Sequence, residues 1–461
     1  MRPDLSLTAI LWVISAGFFM QTLDTTIVTT ALPAMARSLR ERPLDLQPVI
    51  IVYSFTMAVL TPASGWLGDR YGTRKIYFLS ILVFALGSLL CAMSTTLSEL
   101  IASRVIQGLG GSMLLPIGRL VILRNFPRDM YLPAITLASI SGQAGILLGP
   151  LLGGWLSQSI SWHWIFLINL PIGLACGAAV LLFLPREAQA LRATPFDVPG
   201  FALLSCGMVA FSMALDGGRY EAWRVAILLA CSAASIWLYV QLARRKAHPL
   251  FPLSLFQERA FSIGLAGNLA ARLGGSAVFF LIPLLFQTEL GYSPLQSGLM
   301  MLPIAAASMA VKRMIPLLIG RHGYGRFLMA NTVCAGLSII AFATIGTGTP
   351  SWLLLGLLSV FGAFNSMQNG AMNSVTLQGL PAKFASSGNG MFSMVQMLAV
   401  GLGAAAGGTL VKLFSNAGMD AVEAFQLTFV LLGSVTLAST VIFANLKQAL
   451  HEGQRRSDPV D

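Results

Sequence analysis

Charge is what this chain has least of. Only 10% of its 461 residues are Asp, Glu, Lys or Arg, where soluble chains carry roughly 25%, so a water-soluble globule is excluded. Cysteine is scarce as well. Cys91, Cys176, Cys206, Cys231 and Cys334 all fall in apolar runs, which excludes a disulfide framework and leaves them as small packing residues. His163, His248, His322 and His451 are scattered, with no partner at metal-ligand spacing, and no Ser/His/Asp or paired-carboxylate arrangement lies in a polar stretch. Neither a metal site nor an enzyme's reaction centre is expected.

What the chain does have is apolar surface. It is 56% hydrophobic with a mean hydropathy of +0.76, more than the cores of a few soluble domains could hide. A bilayer core of about 30 Å takes roughly 20 helical residues to cross, and fourteen apolar runs of about that length stand between charged or turn-rich breaks. Spans 1 to 6 run 8–32, 49–67, 76–93, 100–123, 134–156 and 162–184. Spans 7 and 8 are 198–215 and 225–242; spans 9 to 14 are 261–287, 296–319, 327–345, 352–377, 385–414 and 424–446. Barrel strands would alternate apolar and polar positions, whereas these runs are continuously apolar, so an all-α polytopic membrane protein is predicted. The N-terminus has the basic start and Ala34-Met35-Ala36 site of a secretory signal, but its run is too long and contains Asp24. An uncleaved first span is expected.

A net charge of +11 raises the question of nucleic acid, and its distribution answers it. Eighteen of the 29 basic residues lie on the N-terminal side of span 1 and the loops sharing that side, among them Arg70, Arg74, Lys75, Arg124, Arg128 and Arg244 to Lys246. Six lie opposite and five, Arg104, Arg119, Arg272, Lys312 and Arg313, lie within spans. This is the positive-inside pattern, with both termini cytoplasmic and no nucleic-acid partner.

The loop between spans 2 and 3, Gly65-Trp66-Leu67-Gly68-Asp69-Arg70-Tyr71-Gly72-Thr73-Arg74-Lys75, is echoed between spans 10 and 11 by Gly320-Arg321-His322-Gly323-Tyr324-Gly325-Arg326. The glycines of span 5 (Gly145, Gly149, Gly153, Gly154) are echoed in span 13 (Gly401, Gly403, Gly407, Gly408). Both echoes are eight spans apart, which predicts two six-helix repeats with two helices inserted between them. The expected divisions are an N-terminal bundle, 1–185; linkers and inserted helices, 186–260; a C-terminal bundle, 261–446; and a cytoplasmic tail, 447–461.

These residues carry a family resemblance. Gly65-x-x-Gly68-Asp69-Arg70-x-Gly72-x-Arg74-Lys75 resembles the signature loop of the major facilitator superfamily, and Arg104-x-x-Gln107-Gly108 its second motif. Gly145-x-x-x-Gly149-Pro150-x-x-Gly153-Gly154 is similar to the antiporter motif. The stretches Leu23 to Pro33 and Trp162 to Gly173 resemble motifs of the fourteen-span drug:proton antiporters, with Thr29 where that family often has Asn and His163 where it often has Arg. The resemblance implies a proton antiporter of the bacterial inner membrane that exports drugs or other toxic compounds. Its energy source would be the proton gradient, with no cofactor and no metal. Its partners would be the bilayer, a small-molecule substrate and the proton, and it would be a monomer.

Physical reasons attach to the same residues. An acid at mid-span costs roughly 2.5 to 3.5 kcal/mol on insertion scales and is a functional candidate by default. Asp24 is therefore expected to take up and release a proton, tuned by Arg104, with Gln21 and Thr25 beside it on the helix as candidates for the substrate path; a permanent structural ion pair is the alternative for Asp24. Gly65, Gly68, Asp69, Arg70, Gly72 and Arg74 are candidates for a contact made in one conformational state, or for a turn that only enforces topology. Gly145, Gly149 and Gly153 share a helical face, and with Gly154 and the kink at Pro150 they are candidates for gating, or for plain close packing. Arg272, at mid-span one turn after Asn268, can bind an anion bidentately, or backbone carbonyls. In span 12, Asn365, Asn369 and Asn373 share a face, and with Gln368 they suit a substrate path or helix–helix hydrogen bonds.

Within the spans five cations face the single acid Asp24. The alternative function is thus export of a small anionic metabolite, a carboxylate or metal-carboxylate chelate. A membrane sensor or scaffold would require a cytoplasmic signalling domain, for which the short loops leave no room.

Overall fold

The computed structural model describes residues 3–185, 195–214, 221–246, 248–378, 380, 385–444 and 446. The tail 447–461 and most of the first linker, 186–194, lie outside the described residues. The described residues contain no strand. Among the described residues, fourteen helices coincide with the fourteen apolar runs. They are α1 (Leu7–Leu39), α2 (Pro43–Tyr71), α3 (Thr73–Met93), α4 (Leu97–Asn125), α5 (Pro133–Ser159) and α6 (Trp164–Phe183). Next come α7 (Val198–Ala214) and α8 (Trp223–Arg245). The last six are α9 (Arg259–Thr288), α10 (Pro294–His322), α11 (Tyr324–Thr344), α12 (Ser351–Gln378), α13 (Ser387–Asn416) and α14 (Ala421–Phe443).

Twelve of these are long and apolar enough to cross a membrane. The other two are α7, with 17 residues, and α12, whose 28 residues include the polar run Asn365 to Asn373. Several helices outrun their apolar stretch: α1 continues through Pro33 to Leu39. Hydropathy marks where lipid ends, whereas the backbone hydrogen-bond ladder ends only where a cap stops it. Caps are present where the sequence supplies them. At the start of α4, Thr96 Oγ1 accepts from the Glu99 amide at 3.3 Å while Glu99 Oε2 accepts from the Thr96 amide at 3.2 Å, a reciprocal capping box.

The chain forms two compact units, Met1–Val198 with Tyr292–Leu299, and Pro199–Gly291 with Met300–Asp461. The repeat is visible in local geometry. Helix α2 is broken by a 3-10 turn at Thr61–Ala63 and α10 by one at Val311–Arg313. The turns after them pivot on Gly72 (φ 85°) and Gly323 (φ 75°), a backbone conformation that side chains disfavour. In the first unit the glycines of α5 pack on α1; in the second, Gly403 and Gly407 of α13 pack on Leu273, Ala277 and Leu281 of α9.

The inserted helices α7 and α8 belong to the second unit. Near the C-terminal end of α8, Tyr239 donates its hydroxyl to the Phe251 carbonyl at 3.0 Å and accepts from the Phe251 amide at 2.8 Å. Tyr239, Phe251, Leu255, Phe261 and Phe392 form one buried cluster there, with Leu203 and Leu204 of α7 against it.

Candidate functional site

In the first unit the intramembrane charges meet. Arg104 of α4 donates through Nη1 to Asp24 Oδ2 of α1 at 2.7 Å, and the two side chains are 1% and 0% exposed. Arg104 and Gln107 are three residues apart on one helical face, so Gln107 joins them: its Oε1 accepts from Arg104 Nη1 at 2.6 Å, and its Nε2 donates to Asp24 Oδ1 at 2.7 Å and to Ser88 Oγ at 2.7 Å. Asn169 of α6 adds a bond from Nδ2 to Asp24 Oδ1 at 3.3 Å and another to Ser88 Oγ at 3.3 Å. Arg104 Nε is held by the Val49 carbonyl at 3.2 Å, and the guanidinium lies 3.9 Å over the Tyr53 ring. The carboxylate thus receives three side-chain donors, one of them charged, in a place water does not reach.

The sequence pointed to Asp24 and Arg104 but not to Gln107, Asn169, Ser88 or Tyr53 as parts of this site. Gln107 and Asn169 were visible as motif residues; nothing in Ser88 or Tyr53 distinguished them from ordinary helix residues. Gln21 lies on the same helix, buried, with its Oε1 unpaired and its Nε2 reaching only Met57 Sδ at 3.5 Å. Thr25 donates back to the Gln21 carbonyl at 2.9 Å.

The glycine-bearing face of α5 meets a matching row of threonines on α1. Thr22, Thr26 and Thr30 donate their hydroxyls to the carbonyls of Gly142, Gly145 and Pro150 at 2.7, 3.3 and 3.1 Å. A Cβ on Gly145, Gly149 or Gly153 would fall 2.4, 2.0 or 2.3 Å from the nearest atom of α1. Gly154 faces elsewhere, onto the segment Tyr292–Leu299 of the same unit. A Cβ on Gly154 would stand 2.2 Å from the Pro294 carbonyl, and one on Gly298 would stand 2.3 Å from the Pro150 carbonyl. Gln158 Oε1 accepts from the Leu295 amide at 3.0 Å. The five-residue pattern Pro-x-x-x-Gly therefore occurs on both sides of this crossing.

At the turn after α2, Asp69 pairs with Arg124 at the end of α4, and Arg124 also reaches the Gly68 carbonyl at 3.4 Å. In the sequence Arg124 is marked only as one of the basic loop residues. Arg74 donates to the Leu181 carbonyl at 2.5 Å, while Arg70 is exposed; Gly65 precedes this turn within α2.

The polar residues of the second unit divide in two. Gln368 of α12 is buried and bonded to α11, accepting from Asn331 at 2.7 Å and donating to Thr332 at 2.7 Å. Asn373 accepts from Gln396 of α13 at 2.9 Å. Arg272 of α9 donates through Nε to Asn268 Oδ1 at 2.9 Å. Asn365 and Asn369, half-buried, have no hydrogen-bond partner among the described residues.

The chain resembles known proteins over nearly its whole length. The Major Facilitator Superfamily profile matches residues 14–404. The "Putative multidrug resistance protein MdtD" of Cronobacter sakazakii is 44% identical over 444 residues, covering 95% of this chain and 94% of that protein. The protein of the same name from Serratia proteamaculans is 45% identical over 409 residues, covering 88% and 85%. Among solved structures, a D-xylose-proton symporter superposes with a TM-score of 0.70 at 14% identity, covering 95% of this chain and 97% of that one; this likeness is one of fold.

Proposed function

The chain belongs to the major facilitator superfamily, whose members are membrane transporters and not enzymes, and on that premise we propose that it is a proton-coupled exporter. It would carry small molecules, drugs or toxic compounds, out across the bacterial inner membrane by alternating access, with both termini in the cytoplasm. The names of its relatives support the efflux direction, and the basic loops support the orientation.

One observation carries the coupling: a carboxylate buried at mid-span whose donors, Arg104, Gln107 and Asn169, come from helices other than its own. A proton on Asp24 removes the negative charge that pairs with Arg104, so protonation weakens the closed network. The network is then a two-state element biased by the proton, and each charge moved down the gradient contributes about 2.3 kcal/mol per 100 mV. Substrate would be released on the periplasmic side and the proton on the cytoplasmic side.

The test is efflux in proteoliposomes under an imposed pH difference, with a panel of drugs as substrates. Wild-type protein is expected to accumulate substrate against its gradient. Asp24→Asn is expected to equilibrate it without accumulating it. Full gradient-driven accumulation by Asp24→Asn would overturn the coupling assignment.

A further inference from the structure

One turn from the Asp24 network the first unit buries a second group of polar atoms, and these are not paired with one another. Gln21 precedes Asp24 by three residues on α1, and Met57 follows Tyr53 by four on the antiparallel α2. Both steps run the same way, toward the cytoplasm in the orientation proposed above. Gln21 is 4% exposed and Tyr53 1%, yet neither Gln21 Oε1 nor the Tyr53 hydroxyl has a hydrogen-bond partner among the described residues. Helix α4 shows that they lie together. The point where a Cβ on Gly111 would fall is 3.1 Å from the Tyr53 hydroxyl and 3.3 Å from Met57 Sδ, and Met57 Sδ in turn receives the Gln21 amide nitrogen at 3.5 Å. Tyr53 also borders the network itself. Its ring lies under the Arg104 guanidinium, and its hydroxyl stands beside Asp24 and Thr25 without closing a bond on either.

A buried polar atom left unpaired forfeits the hydrogen bonds it made in water, and here an amide oxygen and a hydroxyl are both in that position on one side of Gly111. Their needs are complementary through one molecule. Water accepts from the Tyr53 hydroxyl and donates to Gln21 Oε1, and its second hydrogen is left for Met57 Sδ, a weak acceptor. Charged ligands suit the set less well. An anion would face the amide oxygen, and a metal cation would stand beside the Arg104 guanidinium.

We infer that Gln21 and Tyr53 bind one internal water, sealed from bulk solvent in this conformation, and that Tyr53 passes the Asp24 proton to it. The inference rests on the proton-coupled reading and deepens it by naming the proton's way out of the carboxyl group. The Tyr53 oxygen takes the proton of the protonated Asp24 while giving its own to the water, so the tyrosine ends as it began. One proton has moved one step toward the cytoplasm. Gln21 touches neither Asp24 nor the moving proton; it is a positioning residue that holds the water by its second bond. Thr25, whose hydroxyl is taken up by the Gln21 carbonyl, has no part in the transfer.

The experiment has two arms, both on full-length protein. In detergent, short X-ray pulses make hydroxyl radicals wherever water is bound, and oxidation of buried methionines is read by mass spectrometry. Met57 is expected to oxidise several-fold faster than Met20, which is just as buried on α1, and Gln21→Leu is expected to bring Met57 down to the Met20 rate. In proteoliposomes, Tyr53→Phe keeps the ring under Arg104 and removes only the hydroxyl. It is expected to slow pH-driven accumulation about tenfold, near the worth of one hydrogen bond, and still to reach the wild-type end point, because a relay sets the rate and not the stoichiometry. Met57 oxidising no faster than Met20, or unchanged in Gln21→Leu, would overturn the water site. Tyr53→Phe working at the wild-type rate, or stopping short of the wild-type end point, would overturn the relay. The expected labelling in a wild-type protein that shows no pH-driven accumulation would instead refute the proton-coupled reading and leave the water site standing.

Discussion

Replacing Asp24 by Asn changes one atom's chemistry in a sealed place, and the structure allows its cost to be worked out. The carboxylate accepts from Arg104 Nη1 and Gln107 Nε2 at 2.7 Å each and from Asn169 Nδ2 at 3.3 Å. An Asn keeps one acceptor oxygen. If its NH2 faces Arg104, two donors oppose each other and the guanidinium loses its counter-charge; if it faces Gln107 and Asn169, the clash moves there. Removing one partner of a buried pair costs about 3 to 5 kcal/mol, and at about 1.4 kcal/mol per factor of ten that is two to four orders of magnitude in the folding equilibrium. Arg104→Gln on the same background removes the orphaned charge, so the double variant is expected to recover most of the loss while remaining uncoupled. Denaturant or thermal unfolding of wild type, both single variants and the double variant gives the interaction energy as a double-mutant cycle. A cycle that closes to within about 0.5 kcal/mol, the additivity expected of independent sites, would refute the network as drawn.

Gly149→Ala would place a Cβ 2.0 Å from Thr26 Oγ1 and 3.1 Å from the Ile27 nitrogen, and is expected to cost about 1 to 3 kcal/mol or more by overpacking. Gly356→Ala, with nothing within 4 Å, is the matched control in the same unfolding measurement. His163 sits just ahead of α6, its Nδ1 2.7 Å from Ser161 Oγ, and burial lowers its pKa from the ordinary value. A lowered base stays neutral in the folded protein while the unfolded chain charges, so stability is full above about pH 6.5 and declines as pH falls below it. His163→Gln should flatten that part of the unfolding-temperature profile. Ser88→Cys, at the Asp24 network, is expected to react with a thiol reagent only during turnover, and Thr30→Cys, at the α1–α5 interface, is expected to stay unreactive throughout.

Much of this was legible in the sequence because the bilayer imposes so strong a rule. Continuous apolar runs become helices wherever backbone groups have no water to bond, so the fourteen helices follow from hydropathy. The repeat was suggested by two echoes eight spans apart, the loops Gly65 to Lys75 and Gly320 to Arg326 and the glycines of spans 5 and 13; in the structure Gly72 and Gly323 of those loops both take positive φ. Asp24 and Arg104 were legible because a charge in an apolar run has few reasons to be there. Ser88 and Tyr53 were not legible, since a serine or a tyrosine in a membrane helix is common and only three-dimensional packing brings it to a carboxylate. The division of the glycines was equally hidden: Gly153 and Gly154 are neighbours in sequence, yet one faces α1 and the other faces Pro294. A face is a matter of 100° per residue, and a motif written as letters does not record it.

The same division says where the first unit has to open. Asp24 and Ser88 are 0% exposed, so a proton cannot reach the carboxylate unless a neighbouring helix moves. Helix α1 has two kinds of neighbour. Against α5 its backbone is interleaved with glycines and fastened by three threonine hydroxyls on backbone carbonyls. Separating that seam would strand several carbonyls and hydroxyls and open voids along its length. Against α4 and α6 the seam at this depth consists of side-chain bonds to one carboxylate, and protonating that carboxylate weakens them. If the carboxylate is the coupling group, helices α1 and α5 are therefore expected to move as a pair, with water entering on the side of Arg104 and Asn169, next to Ser88. Reactivity at Thr30 equal to that at Ser88 during turnover would mean that the threonine seam opens too, and the carboxylate would then not be the hinge of the cycle.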